Sequence, residues 1–435
     1  MTHRPLCFVQ RFAQRFAQPL GALASWERTG RCAERCARRR ACDTRIRLMS
    51  APLHERLRLL AHSLERQFLG KDEIIRLLMI AVVAGEHCVL LGPPGTAKSA
   101  LIRTLAELMQ ARYFEYLLTR FTEPNEIFGP VDIGAFREGV YRRNTSGMLP
   151  EAEIVFLDEV FKSNSAILNA LLTLLNERKF ASGGQVLRCP LISVFAASNE
   201  VPGDETLTAI FDRFLLRVQS DNLDAYHFSE LLQRGIQQEI RHMAGEPLRP
   251  LVAARELAEL GRGFGARMNF GDAFLSAYKG LVFQIRAEGI SLSDRRVVKM
   301  LKLFAASAYL DGRQTTDASD FFVLKHIWNN QDQAAILEGI VQPVLEAFFR
   351  EHPDRRRVGA LGVGVEALAA EIDRIRQILT GGASLGDVQL FSQLKALGEI
   401  KQALAGINDA RARELEARVS QLLEASFRSG RFAQI

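Results

Sequence analysis

Residues 88–99 decide the fold, and they read Cys88-Val-Leu-Leu-Gly-Pro-Pro-Gly-Thr-Ala-Lys-Ser99. Four apolar residues predict a buried strand, the glycines and prolines predict a tight turn, and Ala100 to Met109 has helical spacing. A strand, a glycine-bearing turn and a helix start form a cradle for phosphate, because backbone N–H groups and the positive helix end face the anion. Lys98 adds a full charge to this cradle, and Ser99 is a ligand for magnesium.

The loop departs from the strict phosphate-binding pattern at one position, where Ala97 stands in place of the last glycine. We expect a backbone angle there that alanine tolerates, while Gly92 and Gly95 allow close approach to phosphates. The predicted nucleotide contacts of the loop are Gly92, Pro93, Pro94, Gly95, Thr96, Ala97, Lys98, Ser99 and Ala100. The alternative is a strand–turn–helix corner that carries Lys-Ser without binding a ligand.

A second apolar strand, Ile154–Leu157, ends in the carboxylates Asp158 and Glu159. Ligands bind at the carboxyl ends of parallel strands, so both carboxylates are expected beside the phosphate cradle. Asp158 would hold magnesium directly or through water, and Glu159 would polarise the attacking water. An acidic pair without a catalytic role is the alternative, and the phosphate loop sixty residues earlier argues against it.

Three further polar residues follow in the order that a nucleotide-hydrolysing site needs. Asn199 ends the next apolar stretch, where it either hydrogen-bonds the attacking water or caps a local turn. Arg213 is expected to reach the γ-phosphate of a neighbouring subunit, with a salt bridge to Asp212 as the alternative. Arg295 lies at a helix start and is expected to report the nucleotide state to a lid, although Arg296 fits that role equally well.

The predicted fold class is α/β, with a doubly wound, five-stranded parallel sheet. Continuous apolar runs are typical of parallel strands that are covered on both faces. The five strand candidates, several of which are such runs, are Cys88–Leu91, Tyr113–Leu118, Ile154–Leu157, Leu191–Ala196 and Leu215–Val218. Residues 131–136 and 139–145 are predicted to form a hairpin between the second and third strands.

Strand patterns stop after Val218, and helical spacing continues towards the C-terminus. The expected domains are an α/β nucleotide-binding core at 49–220, an all-helical lid at 221–330 and a helical extension at 331–435. Residues 1–48 form a separate tail. No apolar run approaches the length of about 20 residues that crosses a bilayer.

The tail carries the basicity of the chain. It contains eleven arginines, no lysine and three acidic residues, whereas residues 49–435 contain 45 basic and 47 acidic side chains. The net charge of +6 is therefore no argument for a nucleic-acid partner. The tail is read as a transit peptide, a basic arm or upstream sequence before a start at Met49, and we favour the last. Cys88 and Cys189 lie in apolar stretches outside the tail, which predicts buried free thiols and a reducing, cytoplasmic compartment.

In this order the elements resemble those of an AAA+ ATPase of the MoxR branch, and within it the RavA-like members. The phosphate loop, the acidic pair, Asn199, Arg213 and Arg295 match Walker A, Walker B, sensor 1, arginine finger and sensor 2. The supporting stretches are Gly92-Pro-Pro-Gly-Thr-Ala-Lys-Ser, Phe195-Ala-Ala-Ser-Asn-Glu, Asp212-Arg-Phe-Leu-Leu, Ser293-Asp-Arg-Arg and Asp320-Phe-Phe-Val-Leu-Lys-His-Ile-Trp. The resemblance covers about residues 55–350.

The resemblance implies an ATP-hydrolysing ring, expected to be a hexamer, that remodels client proteins together with a von Willebrand factor A protein. It implies ATP and Mg²⁺ as cofactors, and it places Leu69 and Gly70 against the adenine. It also implies that the insert between Thr122 and Pro150 faces the pore of the ring or the partner, with a plain surface hairpin as the alternative. The chain contains no Asn-Lys-x-Asp motif for guanine.

Three other functions stay open from the sequence. A nucleic-acid motor would use the pair Arg142-Arg143, although the acidic balance after residue 48 argues against it. A metal-chelatase motor would co-purify with a large tetrapyrrole-binding subunit. A nucleotide-gated scaffold would bind ATP with little turnover, and the complete set of motor residues argues against it.

Overall fold

A computed structural model describes residues 51–182, 185–203, 205–221, 228–243, 248–352, 355 and 365–380, with parts of 393–404 and 410–428. The chain divides into one unit at Met1–Pro52 and a second at Leu53–Ile435, and the described helices and strands belong to the second unit. The predicted tail at 1–48 lies outside the described residues, and so do most of residues 381–409 of the predicted helical extension. In the described part of the chain, no helix combines the length and apolarity that a membrane span requires.

The N-terminal half alternates helices and strands. Its elements in chain order are α1 (Leu53–Gln67), α2 (Asp72–Ala84), β1 (Cys88–Leu91), α3 (Lys98–Leu108), β2 (Tyr113–Leu117), α4 (Pro124–Phe128), α5 (Ile133–Arg137), β3 (Ile154–Asp158), α6 (Ser165–Glu177), β4 (Lys179–Ser182), β5 (Gln185–Arg188), β6 (Ser193–Ser198), α7 (Glu205–Phe211) and β7 (Leu216–Gln219). Strands β1 and β6 are buried along their whole length, as their continuous apolar runs predict.

Five of the strands form one parallel sheet in the order β2-β3-β6-β1-β7. The predicted five-stranded α/β fold is therefore confirmed. Helix α3 packs against β2 and β3, and α2 packs against β7, which buries the apolar strand residues on one continuous core. Because all five strands are parallel, the chain segments that follow them emerge at one edge of the sheet, called here the carboxyl edge.

The hairpin predicted for residues 131–145 is wrong. Residues 133–137 form α5 instead, because the Asp132 carboxylate accepts a hydrogen bond from Ala135 N and caps a helical turn. Only an isolated bridge between Val131 and Arg143 remains of the predicted pairing. A two-stranded antiparallel hairpin does occur, but it joins β4 and β5 after α6.

The second half is helical, as predicted. It contains α8 (Phe228–Met243), α9 (Ala254–Gly263), α10 (Asp272–Ala287), α11 (Asp294–Leu310), α12 (Asp332–Glu351), α13 (Val365–Thr380) and α14 (Ala410–Arg428). Within the predicted all-helical lid, the segment Ala318–His326 is a 3-10 helix. A separate apolar cluster joins α13 and α14, centred on Leu368, Ile372 and Val419.

The opposite edge of the sheet, called here the amino edge, is anchored by a buried histidine. His87 directly precedes β1 and is 2% exposed. Its Nδ1 accepts from Val194 N at 3.0 Å, so the ring proton lies on Nε2, which faces Leu175 O at 3.0 Å. Burial and the charge of Arg178 hold the pKa of His87 well below its usual value, so the ring is neutral.

Acidification is expected to destabilise the protein through His87. The unfolded chain binds a proton below about pH 6.5 while the folded ring does not, so stability falls below that pH by up to about 1.4 kcal/mol per pH unit. In His87→Gln, an amide replaces both ring contacts without titrating, and its stability should depend less on pH. Urea unfolding of both proteins at about pH 7.5 and about pH 5.5 measures the difference. An equal pH dependence of the two would contradict this expectation.

Candidate nucleotide-binding site

The phosphate loop lies between β1 and α3 at the carboxyl edge. Gly92 has a φ of +147°, and a Cβ built on it would lie 2.2 Å from Ser220 O. Gly92 N also donates to Ser198 O at 3.1 Å, so the loop is pressed against the ends of both β6 and β7. No residue other than glycine fits this position, which keeps the loop backbone close to the sheet.

Ala97 adopts the left-handed backbone conformation, with φ of +60° and ψ of +24°. This is the region in which glycine is usual, and it costs an L-residue roughly 1–2 kcal/mol. Alanine is therefore accommodated at this position, as expected, but as a strained residue directly before α3. The left-handed conformation of Ala97 turns the chain so that Lys98 begins the helix.

Lys98 is bound to its own loop. Its Nζ donates to Gly92 O and Pro93 O, each at 2.8 Å, and lies 3.4 Å from Thr96 Oγ1. Burial lowers the pKa of Lys98, while the charges of Asp158 and Glu159 act in the opposite direction. The ammonium group therefore lies within electrostatic reach of both predicted catalytic carboxylates.

Asp158 ends β3 and Glu159 follows it at the carboxyl edge, where Glu159 contacts Asn199. Asn199 Nδ2 donates to Glu159 Oε1 at 2.6 Å, and Lys162 Nζ forms an ion pair with Glu159 Oε2 at 3.2 Å. Glu159 has a φ of +52°, which is uncommon for a residue other than glycine. Asp158 Oδ1 accepts a hydrogen bond from Glu159 N at 3.0 Å, and this bond within the acidic pair stabilises the strained turn.

Three parts of the predicted site thus come together in one subunit: the loop with Lys98, the acidic pair, and Asn199. This follows from the strand order, since β3, β6 and β1 are neighbours and deliver their ends to the same edge. Lys162 was missed by the sequence analysis. Its signal is the i,i+3 spacing from Glu159, which places two opposite charges on one turn.

A buried lysine, Lys71, was also missed. Lys71 Nζ donates to Ser220 Oγ at 3.2 Å and to Asp221 O at 2.7 Å, and Ser220 Oγ continues to Thr96 Oγ1 at 3.3 Å. Burial lowers the pKa of Lys71, Asp221 opposes that effect, and the charge of Lys98 adds to it. The chain of contacts ties Lys71, the residue after Gly70, to the phosphate loop. Leu69 itself is buried, and Gly70 has a φ of +69°.

Arg213 and Arg295 do not approach the phosphate loop within this subunit. Arg213 precedes β7, whereas the loop follows the parallel strand β1, so the two lie at opposite edges of the sheet. Arg213 Nη1 lies 3.6 Å from Asp212 Oδ2, which is the salt bridge given as the alternative. Arg295 is exposed and donates to Asn176 Oδ1 at 3.2 Å, next to the carbonyl that contacts His87 at the amino edge.

The residues at the carboxyl edge fit a magnesium nucleotide. The glycine cradle and the helix start suit a polyphosphate, and the Ser99 hydroxyl and Asp158 carboxylate are hard oxygen ligands of the kind that Mg²⁺ prefers. In the described residues there is no group of three or more His, Cys, Asp or Glu side chains placed to hold a metal. A magnesium ion here would therefore depend on phosphate oxygens and water for its remaining ligands.

Cys88 and Cys189 are free and buried, as predicted. Both thiols lie in the apolar core of the sheet region rather than at the site. They contribute packing and take no part in the arrangement at the carboxyl edge.

Comparison with known proteins agrees with this geometry. Residues 55–262 match the model of the MoxR domain in the MoxR-vWA-beta-propeller ternary systems, and residues 279–341 match an AAA lid domain. A crystal structure of an ATPase candidate from Cytophaga hutchinsonii superposes with a TM-score of 0.54 at 20% identity, over 67% of this chain and 94% of that one. This likeness concerns the fold.

Relatives extend along most of the chain. Two uncharacterised proteins of Methanocaldococcus jannaschii are 33% and 36% identical, over 81% and 71% of this chain and 91% and 80% of their own lengths. Chaperone MoxR1 of Mycobacterium tuberculosis is 25% identical over 36% of this chain and 44% of its own length. With the family model, the parallel sheet and the helical lid, these matches show that the chain belongs to the MoxR family of AAA ATPases, a membership that implies ATP binding.

Proposed function

We propose that the protein hydrolyses ATP at the carboxyl edge of its sheet and uses the energy to remodel partner proteins. The observation that carries the proposal is the contact between Asn199 and Glu159, 2.6 Å apart, beside the loop that holds Lys98. An amide fixed on one carboxylate oxygen keeps the other in a defined position. This is the arrangement that activation of a water molecule requires.

Each residue has a distinct task in the proposed reaction. Lys98 exchanges a loop carbonyl for a phosphate oxygen, and the N–H groups at the start of α3 bind the phosphates. Ser99 and Asp158 hold the magnesium ion, which neutralises charge on the phosphates when it is bound. The Glu159 carboxylate accepts a proton from the attacking water, while Asn199 orients that carboxylate and Lys162 screens its charge. Leu69 and Gly70 contact the adenine.

The arginines at the amino edge support an assembly in which one subunit acts on the next. Arg213 lies at the opposite edge from its own phosphate loop, so only a nucleotide on another subunit is within its reach. Arg295 is exposed at the same edge, which makes it a second candidate for such a contact rather than a cover for its own site. A closed ring, which we take to be a hexamer, lets every subunit give and receive an arginine.

The partner we propose is a von Willebrand factor A protein, within a ternary system that also contains a β-propeller protein. The name of the matching family model supports this partner, and the RavA-like branch stays a prediction. The contact surface we assign is the insert around α5, where Ile133 and Phe136 are 69% and 60% exposed. Tyr141 and Val186 add exposed apolar area nearby, and Arg143 N donates to Ser182 Oγ, which joins the insert to the β4–β5 hairpin. A chaperone-like role agrees with the name of the distant MoxR1 relative.

Binding of a fluorescent ATP analogue tests the site itself. Lys98→Met removes the only side-chain charge of the loop, and affinity should fall about 30-fold or more, as for loss of one partner of a buried charge pair. The matched control is Arg103→Met on the exposed side of α3, where the guanidinium pairs with Glu115 at 2.7 Å. Equal affinities of wild type and Lys98→Met would refute the assignment of the loop.

A further inference from the structure

Arg217 links the sheet to the lid at the amino edge. It lies on β7 with a side chain that is 1% exposed, and its guanidinium stacks on the Phe211 ring at 4.2 Å. Its Nη1 donates to Ile327 O at 3.3 Å, to Trp328 O and to Asn329 Oδ1 at 2.6 Å. A core strand is thus bound to the turn that ends the 3-10 helix of the lid.

Arg296 reaches the same turn from the lid. It lies in the first turn of α11 with a side chain that is 4% exposed. Its Nη1 donates to Asn329 Oδ1 at 2.9 Å and its Nη2 donates to Ile327 O at 2.8 Å. The single amide oxygen of Asn329 therefore accepts from two guanidinium groups, one from the core and one from the lid.

The cluster has more positive than negative charge. The Asp212 carboxylate lies 3.6 Å from Arg213, 3.9 Å from Arg217 and 3.6 Å from Arg296. Burial lowers the pKa of both Arg217 and Arg296, and Asp212 opposes that effect. Within the described residues, the Nε atoms of all three arginines are buried and have no hydrogen-bond acceptor. Repulsion among the three cations is thus opposed by the Asp212 carboxylate, by the shared amide oxygen of Asn329 and by backbone carbonyl oxygens of Phe211, Ile327 and Trp328.

Arg213 is the exposed end of this cluster. Its side chain is 26% exposed and that of Asp212 is 41% exposed, whereas Arg217 and Arg296 are almost fully buried. Any shift of the lid turn changes how strongly Asp212 is held by Arg217 and Arg296. The same shift changes how strongly the Asp212 carboxylate interacts with Arg213.

We propose that Asn329, acting through Arg217, Arg296 and Asp212, couples the position of the lid to the orientation of Arg213. Asn329 is a positioning residue, because its contacts reach the two inner arginines and not a nucleotide. The inference rests on the proposed action of Arg213 on a neighbouring subunit. According to this inference, the lid of each subunit controls the Arg213 that the subunit presents to its neighbour. It does not control the ATP site of its own subunit.

A mixture of two full-length variants tests the coupling. The donor chain carries Glu159→Gln and the receiver chain carries Arg213→Ala, so ATP turnover arises where an intact Arg213 of a donor faces an intact Glu159 of a receiver. Asn329→Ala is then placed on either chain. On the donor it should lower turnover about 10-fold or more, since a misplacement of about 1 Å costs up to about 10²-fold. On the receiver it should change turnover less than about 2-fold.

Two further variants separate coupling from loss of structure. Gln333→Ala on the donor is the matched control, since the Gln333 side chain accepts from the backbone N of Asn329 at 2.8 Å in the same turn. Asn329→Asp on the donor should restore turnover, because a carboxylate accepts from both guanidinium groups. Equal losses on donor and receiver, or no loss on the donor, would overturn the coupling alone. A mixture that is inactive before Asn329 is changed would instead refute the role of Arg213, and the coupling with it.

Discussion

Replacing Arg213 with alanine is expected to lower ATP turnover by about 10³-fold or more while ATP binding is retained, as for arginines that stabilise the transferred phosphoryl group. ATP binding is expected to be retained because Arg213 lies at the amino edge, where it contributes nothing to its own phosphate loop. Phosphate release at saturating ATP measures the rate, and titration with a fluorescent ATP analogue measures affinity.

Two comparisons make the Arg213 result specific. Arg103→Ala removes an exposed arginine from α3 and should leave turnover within about 2-fold, as exposed ion pairs contribute little. Arg295→Ala distinguishes the two arginines of the amino edge, because only a residue that touches the phosphoryl group carries the full effect. A large loss of ATP affinity in Arg213→Ala would show that the residue serves its own site or the fold instead.

Replacing Glu159 with glutamine is expected to lower turnover by about 10²–10⁴-fold, the usual contribution of a general base. Glutamine keeps the size of the side chain and can still accept from Asn199, so ATP should bind as in the wild type. It cannot take a proton from water. The variant should therefore hold ATP and stay attached to the proposed von Willebrand factor A partner, which we expect the wild type to release after hydrolysis.

The control for Glu159→Gln is Glu177→Gln, at the end of α6, where the carboxylate pairs with the exposed Lys179 at 3.0 Å. That change should have no effect on turnover. If Glu159→Gln hydrolyses ATP at the wild-type rate, a group other than Glu159 activates the water. If neither protein hydrolyses ATP, the chain binds nucleotide as a scaffold only. Capture of the partner in the presence of ATP and its release with ADP would separate a motor from such a scaffold.

The fold was predictable because its signals are local. Strands β1, β3 and β6 are largely apolar and buried, and the loop, the acidic pair and Asn199 come together because these strands end at one edge. Strands β2 and β7 include Glu115 and Arg217, but the apolar residues around these charges still marked both as strands. The hairpin at 131–145 was predicted wrongly, because alternating apolar residues do not reveal that Asp132 caps a helical turn. The β4–β5 hairpin was missed, since its strands are short, lack a continuous apolar run and are largely exposed.

The site was predictable only in part. Residues adjacent to strand ends, such as Glu159 and Asn199, carry a positional signal. Lys71 and Ser220 are 149 positions apart, and their contact depends on how β7 lies against α2. The choice between Arg295 and Arg296 could not be made from sequence, because only the packed lid shows that one is exposed and the other is buried beside Asp212.

Strand β7 has a mechanical consequence. It is four residues long, about 10 Å, with Arg213 just before it and Ser220 just after it. Ser220 N is bound to Leu91 O at 2.7 Å, and its carbonyl lies against Gly92. So short a strand does not stretch, and a displacement of the phosphate loop is therefore expected to displace the arginine of the same subunit. In the ring that we propose, a movement of the loop on binding its own nucleotide is expected to reach the arginine that acts on the next subunit, so that successive subunits act in turn rather than independently.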